Sequence, residues 1–246
     1  MKSLRIALGC LTILPVGGRS TPRDEAFGRS WTWFPLVGLL IGSILVGTHH
    51  VVARWTPPLA TAALVLGMWT LITGALHLDG LADVCDGLYG GHTPGERLRI
   101  MKDPHSGAIA VVAVGMQLLL KFAMIASLPP SAVDSALLLT PCLGRYAMVV
   151  LGTTLPYART EGGTAEPFVR HATVSSLLLA TLLALGLSWL LAGREGLGLF
   201  GVVGGGALLL RALFARTLGG ITGDALGASG ETLESVLLLS RLVMGA

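Results

Sequence analysis

The stretch LATAALVLGMWTLITGALHLDGLADVCDG (59–87) joins two kinds of sequence that seldom touch. Residues 59–76 are almost wholly apolar, and as a helix they reach most of the way across a hydrocarbon core of about 30 Å. Residues 77–87 follow without a linker and place aspartates at 79, 83 and 86. If the first part is a membrane helix, three carboxylates stand at its edge, where unpaired charge is costly.

The rest of the chain supports the membrane reading. Of 246 residues, 52% are hydrophobic and only 13% charged, and the mean hydropathy is +0.74, outside the balance of soluble domains. Apolar runs recur at 35–53, 58–76, 106–128, 132–155, 174–192 and 196–215. Their connections are short and leave no soluble remainder. The expected architecture is therefore all-α: a polytopic membrane bundle of about six transmembrane helices, forming a single integral membrane domain over 1–246.

Two terminal stretches do not fit that pattern. LRIALGCLTILPV (4–16) follows Lys2 and Arg5 but is too short to span and precedes no small-residue cleavage site. It is read as a re-entrant or interfacial segment of the mature protein. ETLESVLLLSRLVMGA (231–246) turns from acidic to apolar; it either lies along the interface or packs on the bundle, at a depth left open.

Charge orients the bundle, because lysine and arginine concentrate in cytoplasmic connections. One set of connections holds Lys2, Arg5, Arg19, Arg23, Arg29, Arg97, Arg99, Lys102, Arg159, Arg170, Arg216 and Arg241, whereas the other holds Arg54 and Arg194. The first set is expected in the cytoplasm. It also carries the aspartates and the polar stretches MKDPHSG (101–107), PYARTEGG (156–163) and GGITGDALGA (219–228). Membrane lipid is the expected surrounding, and nothing signals an oligomeric state. Cysteines 10, 85 and 142 are isolated, which indicates neither a disulfide framework nor a zinc site. A net charge of +3 without a basic–aromatic pattern makes nucleic acid an unexpected partner.

On a helix, positions 79, 83 and 86 fall within about 60° of one another, so Asp79, Asp83 and Asp86 share a face. Hard oxygen ligands so grouped suit Mg²⁺ or Mn²⁺, which also accept oxygens from a substrate phosphate. Asp103, beside Lys102, supplies a fourth candidate ligand. The competing reading is a set of solvated acids in a loop, without metal. His77 is a candidate general base, or a boundary histidine bonded to backbone. Arg159 lies between Pro156 and Gly162, where a guanidinium can grip phosphate bidentately or merely anchor topology. Thr222 and Asp224 follow two glycines and either approach a ligand or make a simple helix start capped by Asp224. Arg145, in mid-span, is expected to face the bundle cavity and to have a specific partner; it and Lys102 join the candidate substrate-binding residues, whereas Lys121 is expected to snorkel toward a span end. His49 and His50 lie in the opposite membrane half and receive no catalytic role.

These motifs occur in a recognisable series. LTILP (11–15), FPLVGLLIG (34–42), LHLDGLADVCDGLYGG (76–91), ERLRIMKD (96–103), LLLK (118–121), GRYAMVVLGTTLPYAR (144–159) and GGITGDALGA (219–228) together resemble the cobalamin synthase family, the adenosylcobinamide-GDP ribazoletransferases. The resemblance implies a metal-dependent enzyme of the prokaryotic inner membrane with its site facing the cytoplasm. Its members join adenosylcobinamide-GDP to α-ribazole, or to α-ribazole 5′-phosphate, and release GMP. By the family's pattern Asp79, Asp83, Asp86 and Asp103 match its acidic positions, Arg159 its PxAR-like turn, and Thr222 and Asp224 its TGD motif. The chain departs from the family at MKDPHSGAIA (101–110), where His105 replaces a common arginine and Ala110 a common glycine, so substrate contacts at that turn stay open.

Two other classes compete. CDP-alcohol phosphotransferases also place spaced aspartates at a membrane boundary, but with an Ala-Arg after the glycine that DGLADVCDG lacks. A cation transporter would use the acids as an ion path and Arg145 as a gate, but the acids are clustered and no inverted repeat is visible.

Overall fold

The computed structural model describes residues 2–16 and 24–244. Arg19 and Arg23, two of the cations counted above, lie outside the described residues. The order is α1 (Lys2–Leu11), α2 (Asp24–Ser30), a 3₁₀ turn (Trp31–Trp33), α3 (Phe34–Val52), α4 (Pro58–Thr73), α5 (Leu76–Gly90), α6 (Pro94–Ile100), α7 (Ala108–Ser127), α8 (Pro130–Thr154), α9 (Glu166–Arg170), α10 (Val174–Thr217) and α11 (Gly223–Met244). Local chemistry sets several starts. α4 and α8 open on Pro-Pro pairs, the first proline extended and the second at a helical position that has no use for an N–H. α10 opens on Thr173, whose hydroxyl accepts from Ser176 N–H at 3.2 Å.

α8 is the centre of the bundle. Its apolar window is 83% buried, against 28% for α7 and 22% for α10. The outer faces of α7 and α10 leave Val111, Leu119, Leu182, Leu190 and Leu209 more than half exposed. Such a surface is unfavourable in water and natural against lipid tails. α3 approaches α8 through Gly38 and Gly42, a GxxxG spacing; a Cβ on Gly42 would stand 2.6 Å from the Leu137 carbonyl oxygen, so only glycine permits this contact.

By length and apolarity the chain has four spanning helices, and a fifth if α4 and α5, bent by 86°, form one broken span. α10 counts as one of these, although as a straight rod its 44 residues would be about 66 Å long. It is a hairpin. Gly193 leaves helical geometry at φ +54°, ψ −127°, and a Cβ on Gly196 would collide with the Ser188 carbonyl. Tyr146 meets both limbs, hydrogen-bonding Thr181 at 3.2 Å and stacking on Phe200 at 5.2 Å. Counting its limbs separately turns five passes into the six expected, and each expected apolar segment is helical.

One open alternative is decided and one expectation changes. The C-terminal stretch belongs to α11, which packs inside the bundle with Glu231 and Glu234 buried. Because α11 runs the length of the bundle, Arg241 reaches Ser135 at the start of α8 (3.3 Å) and Glu195 in the α10 hairpin (2.7 Å). It therefore sits with Arg194, at the end opposite to the one to which charge counting assigns it. α1 is too short to cross; the chain just after it is held by Ile13 N–H donating to the Ile72 carbonyl at 2.9 Å.

Candidate active site

The aspartate motif is a helix, not a loop. α4 ends at Gly74 (φ +60°) and the chain turns through Ala75 (φ +56°), the one non-glycine residue with positive φ among the described residues. That turn swings α5 by 86° and lays it against α11. Gly80 makes the fit possible, since a Cβ there would be 2.7 Å from the Asp224 carbonyl oxygen. Asp79 and Asp83 are thereby brought beside Asp224. Asp83 experiences Asp224, Asp79 and Asp86 as like charges and Arg159 as the opposing one.

Arg159 is delivered by a short backbone bridge. Ile221 N–H donates to the Pro156 carbonyl and Ala158 N–H to the Ile221 carbonyl, each at 2.9 Å. The guanidinium then pairs with Asp224 at 2.6 Å, while its Nε is buried without a partner. Thr222, fully buried, accepts from Ala225 N–H at 3.1 Å. Thr222 is thus the cap of α11, in place of Asp224, and its route to the chemistry runs through the placement of Asp224.

Asp86 and Asp103 are committed locally. Asp86 accepts from Gly107 N–H at 2.5 Å and Ala110 N–H at 2.9 Å, capping α7 from a neighbouring helix and tying the 101–107 turn to α5. Asp103 accepts from His105 N–H at 2.9 Å and pairs with the His105 ring at 2.7 Å, bonds that hold its carboxyl below its usual value. His105 is thus the residue that engages Asp103. Lys102 bonds to Glu161 and lowers that carboxyl in turn.

Behind the aspartates lies a network that sequence reasoning missed. Lys121, 2% exposed, does not snorkel; it pairs with Glu231 at 2.6 Å and with Glu234, and lies over the Trp69 ring at 4.4 Å. Arg145 is fully buried and pairs with Glu234. Its Nη2 donates to His77 Nδ1 at 3.2 Å. Because a guanidinium only donates, Nδ1 is the acceptor and the proton of the neutral ring is on Nε2. The expected partner of Arg145 is thus protein, Glu234 and His77. The available signal was arithmetic: Lys121 and Arg145, two of the three cations within the expected spans, need anions, and Glu231 and Glu234 are one helical turn apart on a largely apolar segment.

Two cavities flank the cluster. One, of 290 Å³, is lined by His77, Asp79 and Asp224 and by the aromatic residues Trp31, Phe34 and Phe168. Its aromatic residues are tied to one another, with Trp31 Nε1–H donating to the Phe168 carbonyl at 2.8 Å and Trp31 and Phe34 ring centroids 4.6 Å apart. The other, of 380 Å³, is lined by Arg99, Lys102, Arg159 and Glu161. The Arg159–Asp224 pair stands where they adjoin. Of the sequence-derived candidates, His77, Asp79, Asp83, Arg159 and Asp224 converge here, and Lys102 joins from the cationic side.

The donor set fits a hard divalent ion in kind: four carboxylates, Asp79, Asp83, Asp86 and Asp224, answer to one guanidinium. Their oxygens are not drawn into a tight triple; among the described residues the group that lies within 4.8 Å is His49, His50 and Asp134. An open oxygen site of this sort suits an ion that keeps waters and shares substrate phosphate oxygens.

Comparison with known proteins is consistent across the chain. The cobalamin-5-phosphate synthase family model matches residues 3–242. The chain belongs to that family. An adenosylcobinamide-GDP ribazoletransferase of Pseudomonas paraeruginosa is 44% identical over 98% of this chain and 97% of its own length. Those of Syntrophobacter fumaroxidans and Chlorobium phaeobacteroides are 39% and 36% identical over 97% and 99% of this chain, and 97% and 98% of their own. No solved structure matches. Membership of this family disfavours both the CDP-alcohol phosphotransferase and the transporter readings.

Proposed function

We propose that this membrane protein is a transferase that joins adenosylcobinamide-GDP to α-ribazole, or to α-ribazole 5′-phosphate, with release of GMP. A ribose hydroxyl oxygen attacks the phosphorus attached to cobinamide, the bond from that phosphorus to the GMP phosphate breaks, and the hydroxyl proton passes to a carboxylate. The observation that carries this reading is the convergence of Asp79, Asp83, Asp224 and Arg159 between an aromatic and a cationic cavity, in a chain whose full-length relatives bear that activity in their names.

The two cavities divide the substrates by chemistry. The wall of Trp31, Phe34 and Phe168 suits the flat base of the nucleoside acceptor. Arg99, Lys102 and Arg159 suit the diphosphate, and the unpartnered Nε of Arg159 leaves a donor for a phosphate oxygen. The reacting phosphorus then lies at the Arg159–Asp224 pair. His77, with its proton on Nε2, acts as a hydrogen-bond donor toward the cavity, and the role of base passes from it to Asp79 or Asp83. Asp79, Asp83 and Asp224 would hold Mg²⁺ or Mn²⁺; Asp86 already accepts two backbone bonds, and Asp103 is engaged by His105. Such an ion, when bound, supplies neutralisation of diphosphate charge. The location inferred is the prokaryotic inner membrane, with the aspartate end toward the cytoplasm, where Arg97, Arg99, Lys102, Arg159 and Arg216 congregate.

The test is turnover by the purified protein in detergent. With adenosylcobinamide-GDP, α-ribazole and Mg²⁺ the products should be GMP and a corrinoid carrying the lower nucleotide; chelation should stop the reaction and added Mg²⁺ restore it. CMP release from a CDP-alcohol, with no GMP from the corrinoid, would transfer the protein to lipid synthesis.

A further inference from the structure

The other end of the bundle carries a second group of ligand-type side chains. His49 and His50 lie in the last turn of α3, and Asp134 in the second turn of α8. One ring nitrogen of each histidine and one carboxylate oxygen of Asp134 all lie within 4.8 Å of one another. His50 Nε2 is 2.9 Å from Asp134 Oδ1, and the two imidazoles meet edge to face with centroids 5.5 Å apart. Independently, His49 Nδ1 is buried and has no hydrogen-bond partner. Its ring borders a 260 Å³ cavity walled by Thr56, Thr61 and apolar residues of α4, α7 and α8. A buried ring nitrogen without a partner is an energetic deficit. A cation bound to that nitrogen would remove it.

We propose that His49, His50 and Asp134 form a binding site for a zinc-class divalent cation, separate from the aspartate site. Two imidazoles and one carboxylate are a donor set for Zn²⁺, leaving one tetrahedral position for water, and are poorly suited to Mg²⁺, which takes oxygen ligands. The two sites do not overlap. Phe34 lines the aromatic cavity at the start of α3, and His49 is 15 residues further along the same helix, about 23 Å at 1.5 Å per residue. A cation held here links the end of α3 to the start of α8, fixing the far end of the helix pair that Gly38 and Gly42 bring together. The site stands independently of the transferase reading, because none of its residues touches the aspartate cluster.

The test is titration of the full-length, tag-free protein in detergent with Zn²⁺ against a chromophoric chelator, in millimolar Mg²⁺ to occupy oxygen sites. The wild type should bind one Zn²⁺ per chain and gain thermal stability from it. His50→Gln and Asp134→Asn, at side chains 57% and 53% exposed and so tolerant of exchange, should each weaken binding at least about tenfold and lose the stabilisation. GMP release should be unchanged and reports that the variants are folded. If the wild type binds no more Zn²⁺ than the His49→Gln/His50→Gln double variant, the site does not exist. If Asp83→Asn removes the Zn²⁺ instead, the ion belongs to the aspartates and the proposal also fails.

Discussion

Lys121→Met tests the buried charge network. Lys121, Arg145, Glu231 and Glu234 have side chains no more than 5% exposed, so two cations balance two carboxylates with almost no water to share the load. Methionine keeps the length and apolar stem of lysine and still packs on Trp69, but it leaves Glu231 and Glu234 facing only Arg145. Gln117 continues to donate to the Glu231 carboxylate at 3.1 Å, a partial substitute. Breaking a buried pair by removing one partner costs about 3–5 kcal/mol. The loss should appear as reduced resistance to thermal or SDS unfolding in detergent. In the Lys121→Met/Glu231→Gln double variant, Arg145 and Glu234 again match one for one. That variant should recover most of the loss, a coupling of about 2 kcal/mol or more. A single variant within about 0.5 kcal/mol of wild type, or a double variant as unstable as the two single losses summed, would refute this reasoning.

Arg159→Lys preserves the charge facing Asp224 but not the planar fork, so KM for adenosylcobinamide-GDP should rise about tenfold with unfolding unchanged; steady-state kinetics with the same KM and kcat would reduce Arg159 to a topology anchor. Asp86→Asn should lower stability by about 1 kcal/mol, because a charged cap on the α7 amides is lost, and should retain more activity than Asp83→Asn in the same GMP assay. Thr222→Ala should cost about 1 kcal/mol through loss of the α11 cap, and Thr222→Ser should restore it; an effect confined to KM would instead make Thr222 a substrate contact.

The spans are legible in the sequence because a run of about 18 or more apolar residues is hard to accommodate anywhere but in a membrane, and all six segments are helices. What composition does not encode is where a helix stops being straight. The 86° bend at Gly74–Ala75 falls inside the expected 58–76 span and decides what the aspartates meet, whereas the break at Gly193 coincides with the gap between the expected spans 174–192 and 196–215. The shared face of Asp79 and Asp83 follows from helical spacing, and Asp224 stands out by its motif. That Asp224 sits against α5 depends on Gly80, whose lack of a side chain is informative only once the two helices are docked. Asp86 and Asp103 illustrate the opposite case: equivalent to their neighbours as letters, they are drawn off by α7 amides and by His105, groups nearby in the fold and without a distinctive spacing. Charge counting misplaces Arg241 because its segment is too charged to be counted as crossing. The charges responsible, Glu231 and Glu234, are neutralised by Lys121 and Arg145 inside the bundle.

Asp83 is the residue on which the transfer site most depends, since it lies within the electrostatic reach of Asp224, Asp79, Arg159 and Asp86 at once. The decisive measurement is the rate of GMP release from adenosylcobinamide-GDP by Asp83→Asn, against wild type, at saturating substrates and over a Mg²⁺ series. Asparagine keeps the shape and removes the charge, so the rate should fall at least about tenfold, or about 1.4 kcal/mol in the barrier, with unfolding in detergent unchanged. A wild-type rate with an unaltered Mg²⁺ dependence would contradict the assignment of the aspartate cluster as the site of transfer.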